Sequence, residues 1–178
     1  MTKDLDNEGL KSIAKRYDLF FIDLWGVVHN GIELFPNSIH VLEEILNLGK
    51  KYILLTNAPR PNSDVKNFLK KMGLKDEIAL YVYTSGEAAL NFLTKKKKDE
   101  KFYHIGPPRD FGLFNTFKNN KVNNVGDSDF LLCTGLFDGF DKDLSYYDKL
   151  LHDHIDKIMV CTNPDLIVDR GESREYCA

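Results

Sequence analysis

The chain has 178 residues, of which 43% are hydrophobic and 12% aromatic, enough apolar material to bury a core in one domain or two small ones. Its formal net charge of -3 offers no basic face, so nucleic acid is not an expected partner. No apolar run approaches the ~20 residues that cross a bilayer, and the polar N-terminus lacks the apolar segment of a signal peptide, so we expect a cytoplasmic protein without membrane contact.

The first half of the chain alternates strand and helix patterns. In chain order, the sequence predicts a strand at 18–23, a helix at 37–50, a strand at 52–57, a helix at 63–73, a strand at 78–85 and a helix at 87–96. The continuous apolar character of the first strand is typical of a strand covered on both faces. Strands joined by helices of this length pair in parallel, so the sequence predicts an α/β fold with a parallel sheet.

The second half repeats this alternation less regularly. The sequence predicts strands at 101–106, 129–137 and 157–163, a loop at 107–112 and a helix at 143–155. The lysine-rich segment near Lys95 is the expected hinge, which gives one domain at 1–95 and a second at 96–178.

Cysteine and histidine positions argue against a structural metal site or a disulfide framework. Cys133, Cys161 and Cys177 are odd in number and have no C-x-x-C spacing, so we expect them to be reduced, with the first two inside strands. His152 and His154 are two residues apart on a predicted helix, a spacing that points their rings in different directions.

Polar residues follow three of the predicted parallel strands. Asp23 ends the first strand, Thr56 and Asn57 end the second, and Thr84 and Ser85 end the third. Any one of them can simply end a strand and begin a turn. Because parallel strands end at one edge of the sheet, however, their coincidence predicts a site there, and a carboxylate beside apolar strands favours a cation or a reaction.

Five segments in this order resemble the haloacid dehalogenase-like hydrolase superfamily, specifically its subclass IIA of NagD-type and p-nitrophenyl phosphatase-like proteins: FFIDLWGVVHNG, YILLTNAPRP, YVYTSGEA, CTGLFD and CTNPDLIV. The resemblance implies a partial Rossmann-like parallel sheet at 1–95, the core, and an inserted α/β cap domain at 96–178. It also implies a Mg²⁺-dependent phosphatase that acts on a small phosphorylated metabolite through an aspartyl-phosphate intermediate.

The resemblance assigns roles to four residues of this sequence. Asp23 would be the catalytic nucleophile and a Mg²⁺ ligand, and Trp25 would offer its backbone carbonyl to the same metal. Thr56 and Asn57 would bind the phosphate. The chemistry suits these residues, since Mg²⁺ takes one or two carboxylates together with phosphate oxygens.

Trp25 is a departure from the family pattern, which has a second aspartate at this position as general acid and base. An indole cannot carry a proton, and general acid–base catalysis typically contributes about 10²–10⁴-fold. His29 is the nearest alternative, although its place beside a turn predicts a surface residue. By strand alternation, Trp25 is expected on the same face as Asp23, where it would cover the site.

The other departure is at the end of the chain, where no phosphate-binding lysine and no final acidic magnesium motif follow the last matching segment. The acidic stretch at 125–130 precedes CTGLFD and is expected to be a turn of the cap. We therefore expect an inactive or weak phosphatase; the alternative is a non-catalytic phosphometabolite-binding or regulatory protein. If further strands normally pair with residues 18–23, this chain leaves an apolar strand edge unpaired. We then expect either that the rest of a longer protein covers this edge or that the chain forms a homo-oligomer.

Overall fold

The computed structural model describes residues 8–140, 144–165, 167–170 and 173–176. The chain divides into two compact units. The first comprises residues 1–56 and 66–82, and the second comprises residues 57–65 and 83–178. The predicted boundary near residue 95, which concerns a family core and its cap, stays a prediction.

A three-stranded sheet with helices forms the first part of the chain. In chain order the elements are α1 (Lys11–Ala14), β1 (Leu19–Asp23), α2 (Pro36–Asn47), β2 (Lys51–Thr56), α3 (Asn62–Lys71) and β3 (Val82–Thr84). The strand order is β1-β2-β3, and β1 pairs with β2 in parallel. The register places Asp23 opposite Leu55, so the two strands end side by side. These strands and helices confirm the predicted α/β class.

Two details of this sheet differ from expectation. The third strand is shorter than predicted because residues 75–79 form a turn, in which the N–H groups of Ile78 and Ala79 both donate to the Lys75 carbonyl at 3.1 Å. The expectation that β1 is covered on both faces is wrong. Its residues alternate between exposed and half-buried, and Phe21 is 65% exposed, so the described residues pack against only one face of β1.

The second unit contains a four-stranded parallel sheet, ordered β5-β4-β6-β7, and a separate antiparallel hairpin. Its elements are α4 (Ser85–Lys96), β4 (Phe102–Ile105), a 3₁₀ helix with a kink at Phe117 (Pro108–Asn120), β5 (Lys121–Val122), a 3₁₀ turn (Val125–Asp127), β6 (Phe130–Cys133), α5 (Leu144–Leu151), a 3₁₀ turn (His152–His154), β7 (Met159–Cys161), β8 (Ile167–Arg170) and β9 (Ser173–Tyr176).

The core of this unit lies on both faces of β6, all four residues of which are buried. On one face, α4 and the 3₁₀ helix pack Leu93 and Phe114 against Phe130. On the other face, Tyr147 of α5 packs against the cluster that contains Leu131. A continuous apolar run covered on both faces is what a central parallel strand requires, and each fully buried side chain of this size contributes roughly 1.5–3 kcal/mol.

The predicted loop at 107–112 is largely helical, which corrects the sequence analysis. Pro107 is extended (φ -68°, ψ 147°), and Pro108 then begins the 3₁₀ helix, where its missing N–H costs nothing. Of the turn predicted at 125–130, Val125–Asp127 form a 3₁₀ turn, whereas Phe130 already belongs to β6. The hairpin β8–β9 was not predicted. Within the described part of the chain, no helix is long and apolar enough to cross a membrane.

Candidate active site

Asp23 and Thr56 lie together in the first unit, at the ends of two adjacent parallel strands. Asp23 is exposed, and its Oδ1 accepts a hydrogen bond from the N–H of Leu24 at 2.7 Å. That bond fixes the orientation of the carboxylate. The structure therefore brings the proposed nucleophile close to one of the two proposed phosphate-binding residues.

A compact turn follows Asp23 and sets the shape of the site. The Leu24 carbonyl accepts from the N–H groups of Val28 at 2.8 Å and His29 at 3.1 Å, and the N–H of Gly26 donates to the His29 carbonyl at 2.8 Å. Gly26 has a φ of +74°, which L side chains rarely adopt, although an added Cβ would meet nothing within 4 Å. The glycine is required by the backbone conformation of this turn.

Trp25 lies in this turn, outside β1, so strand alternation does not place it on the face of Asp23 as expected. Its indole packs edge-on against the ring of His29, with centroids 5.5 Å apart. It also covers Gly31, where an added Cβ would lie 2.6 Å from the indole Cη2. The indole, which is 36% exposed, thus covers one side of the histidine ring.

His29 is 4% exposed, so its predicted place on the surface is wrong. Its Nδ1 accepts the N–H of Gly31 at 2.9 Å, and the ring of Phe68 lies 5.7 Å from its other side. Burial lowers the pKa of His29 below its usual 6.5, and the nearby charge of Asp23 offsets part of that effect. The ring is therefore neutral at pH 7, with its proton on Nε2.

The hydrogen bond that His29 Nδ1 accepts from Gly31 limits the ability of His29 to act as a base. A neutral imidazole accepts a proton through its unprotonated nitrogen, and here the lone pair of Nδ1 is already engaged by Gly31. In this conformation His29 is a residue that shapes the turn, and it is not placed to replace the aspartate that the family pattern has at Trp25.

Asn57 belongs to the second unit, and its side chain is already engaged. Its Nδ2 donates to Asn163 Oδ1 at 2.9 Å and to Asp165 Oδ2 at 2.5 Å. The two acceptors were not singled out from the sequence. A signal was present, since the Thr-Asn pair at 56–57 recurs at 162–163, after another strand.

The loop after Asn57 is anchored at the start of α4. Ser85 Oγ donates to the Ala58 carbonyl at 3.0 Å, and Thr84 Oγ1 donates to the Arg60 carbonyl at 2.6 Å. The Thr84 hydroxyl also accepts from the N–H of Glu87 at 3.0 Å, which caps the helix. The polar residues that end β3 thus hold the loop in place.

Comparisons with known proteins bear on the whole arrangement. Residues 20–118 match the haloacid dehalogenase-like hydrolase family. A haloacid dehalogenase-like hydrolase from Brucella suis 1330 is 29% identical, with a TM-score of 0.82 over 99% of this chain and 66% of that one. A 4-nitrophenylphosphatase from Thermotoga maritima is 25% identical, with a TM-score of 0.66 over 93% of this chain and 62% of that one. Structures named NagD also match.

A glycerol phosphate phosphatase from Mycobacterium tuberculosis, solved in complex with magnesium, shares the fold at 20% identity, with a TM-score of 0.65 over 93% of this chain and 50% of that one. The chain thus spans between half and two thirds of the length of these three structures. No curated protein matched the sequence. The predicted resemblance to the superfamily and to its NagD and p-nitrophenyl phosphatase branch is confirmed.

Proposed function

Since this chain belongs to the haloacid dehalogenase-like hydrolase family, we propose that it carries the nucleophile of a phosphohydrolase that acts on a small phosphorylated metabolite. The observation that supports this is the placement of Asp23 and Thr56 at the ends of adjacent parallel strands. Ligands of open α/β sheets bind beyond the carboxyl ends of the strands. Residues 1–95 are proposed as core and 96–178 as cap, and the cytoplasm as the compartment.

The proposed chemistry begins at the Asp23 carboxylate. One of its oxygens attacks phosphorus, so that an aspartyl-phosphate bond forms while the bond from phosphorus to the leaving oxygen breaks. Water then attacks the phosphorus of this intermediate, releases inorganic phosphate and restores the carboxylate. The leaving oxygen takes up one proton and the attacking water gives one up, so the two steps balance.

Thr56 and Asn57 are proposed to hold the phosphoryl group. The hydroxyl of Thr56 can donate to a phosphoryl oxygen. The side-chain amide of Asn57 already donates to Asn163 and Asp165, so we assign the phosphate contact of Asn57 to its backbone N–H. Backbone N–H groups in a loop of this kind form concavities that suit anions.

Mg²⁺ is the proposed cofactor, and the donors in the turn suit it. Asp23 offers an exposed carboxylate and Trp25 a backbone carbonyl, and both are the hard oxygen ligands that Mg²⁺ prefers. Among the described residues, no three acidic, histidine or cysteine side chains are grouped so that they could hold a metal ion. When bound, the ion would neutralise repulsion between the carboxylate and the phosphate dianion.

A first experiment tests the site without requiring turnover. Beryllofluoride mimics a phosphoryl group on an aspartate, and the single tryptophan of the chain, Trp25, lies two residues from Asp23. With Mg²⁺ present, we expect beryllofluoride to change the fluorescence of Trp25 in a saturable way. Asp23→Asn should abolish the response. Asp18→Asn, at an exposed carboxylate five positions earlier that pairs with Lys50, is the matched control and should respond normally.

Equal responses from the unaltered protein and Asp23→Asn would refute the nucleophile assignment. Hydrolysis of 4-nitrophenyl phosphate is the companion assay. Because neither Trp25 nor His29 is equipped to carry a proton, we expect little or no Mg²⁺-dependent turnover from this chain. A saturable beryllofluoride response without turnover would favour the alternative role of a non-catalytic phosphometabolite-binding or regulatory protein.

A further inference from the structure

A cavity of about 490 Å³ is lined by residues of the second unit, and none of its lining residues belongs to the proposed catalytic turn. Four charged side chains line it, and we call it the arginine pocket after the first and third of them: Arg60, Asp64, Arg109 and Asp110. The apolar part of its wall is formed by Pro59, Pro61 and Leu113. Its volume is that of a small-molecule site.

One wall of the arginine pocket is a rigid loop. The carbonyls of Ala58 and Arg60 are held by hydroxyls of Thr84 and Ser85, at 2.6–3.0 Å. Gly86 lets this loop approach α4 closely, because an added Cβ there would lie 2.6 Å from the Arg60 nitrogen. The backbone of Arg60 is therefore fixed before any ligand arrives, which lowers the entropic cost of binding.

The opposite wall is the start of the 3₁₀ helix that follows β4. Arg109 Nη1 lies 2.5 Å from Asp138 Oδ1, an ion pair that orients its guanidinium. Burial raises the pKa of the half-buried Asp110, while the charges of Arg60 and Arg109 both lower it. Both arginines line the cavity together with this carboxyl group.

The charges in the arginine pocket are only partly paired. Among the described residues Arg60 has no ion pair, and its side chain is exposed to solvent, whereas Arg109 has Asp138. A guanidinium presents a planar fork of donors that fits carboxylate and phosphate oxygens two at a time. The carboxyl groups of Asp64 and Asp110 accept hydrogen bonds, and hydroxyl groups are the neutral donors that suit them.

We propose that the arginine pocket binds a small hydroxylated organic anion, with the anionic group on Arg60 and Arg109 and the hydroxyl groups on Asp64 and Asp110. The proposal concerns residues of the second unit and stands independently of catalysis at Asp23. Phosphate esters and carboxylates share this chemistry, so the experiment includes one ligand of each type.

The test is calorimetric titration of the chain with glycerol 3-phosphate and, separately, with glycerate, in buffer that contains a chelator to keep divalent metal away from Asp23. We expect at least one of the two compounds to bind. The compound that binds more tightly shows whether the pocket prefers a phosphate or a carboxylate group. Arg60→Ala should weaken binding about tenfold or more, because a charge-assisted bidentate contact is lost. Arg60→Lys should lie in between, since it keeps the charge but not the fork.

Arg16→Ala, which removes an exposed arginine from the first unit, is the matched control and should bind like the unaltered protein. Inorganic phosphate should bind more weakly than glycerol 3-phosphate, because it offers no carbon-borne hydroxyl group to the aspartates. The proposal is overturned if neither organic anion binds, if Arg60→Ala binds as well as the unaltered protein, or if Asp23→Asn loses binding while Arg60→Ala keeps it. Inorganic phosphate of equal affinity would refute the role of Asp64 and Asp110.

Discussion

Acidification should destabilise the second unit through His104, which is buried at 4% exposure in β4. Its Nε2 lies 2.8 Å from Thr134 Oγ1, and its ring centroid lies 5.3 Å from that of Phe111. Burial, with a smaller contribution from the charge of Lys121, lowers the pKa of His104 to about 4. A proton on this ring would place a charge in the buried core, and neither Thr134 nor Phe111 carries a negative charge that would stabilise it.

The magnitude follows from the difference between the folded and unfolded pKa values. With a pKa of about 4 in the folded state and 6.5 in the unfolded state, the unfolded chain binds more protons between these values. The stabilisation is fully present above pH 6.5 and is lost as the pH falls towards 4. The free energy of unfolding should drop by about 2 kcal/mol between pH 7.5 and 5, and by about 3 kcal/mol once both states are protonated.

The assay is urea unfolding at several pH values, followed by circular dichroism, for the unaltered protein and His104→Gln. The variant lacks the titrating group, so its free energy of unfolding should fall about 2 kcal/mol less over the same interval. Fluorescence of Trp25, which lies in the first unit, shows whether that unit unfolds separately. Any contribution of His29 is common to both proteins. Parallel pH curves for the two proteins would refute the reasoning.

Three further predictions concern reactive or spectroscopically visible groups. Protonated histidine quenches a neighbouring indole, so the fluorescence of Trp25 should drop only with a midpoint below pH 6.5, and His29→Gln should remove the drop. The partner thiol lowers the pKa of Cys161 and raises that of Cys133, so peptide mass spectrometry should show that iodoacetamide labels Cys161 before Cys133, and Cys133→Ala should slow the labelling of Cys161. In any form of the protein with measurable turnover, the hydrolysis rate of Trp25→Asp should exceed that of Trp25→Asn by as much as about 10²–10⁴-fold. Equal rates would exclude this position from proton transfer.

The sequence predicts those features that depend on local pattern. The strand and helix alternation placed β1, β2 and β6 correctly, because period and length decide between strand and helix within a few residues. The register of two adjacent strands then brings Asp23 and Thr56 together, as expected for parallel strands. These features needed no knowledge of distant residues.

Features that depend on distant contacts were missed. The acceptors of the Asn57 amide lie 106 and 108 residues further along the chain. The burial of His29 depends on Trp25 folding back over the turn and on Phe68, which belongs to a later helix. The exposure of Phe21 depends on whether another element packs over that face of β1. The repeated Thr-Asn pair at 162–163 is a sequence signal for the first of these contacts, but no spacing in a single sequence shows the other two.

The way the loop at 57–62 is anchored separates its structural role from its chemical role. Its anchors are backbone carbonyls, those of Ala58 and Arg60, and the groups that bind them come from Thr84 and Ser85. A carbonyl is present whatever the side chain, so the residue type at position 60 is not constrained by the anchor. The anchor therefore does not use the guanidinium of Arg60. The hydroxyl of Thr84, in contrast, makes two hydrogen bonds: it donates to the loop and accepts from the N-terminus of α4.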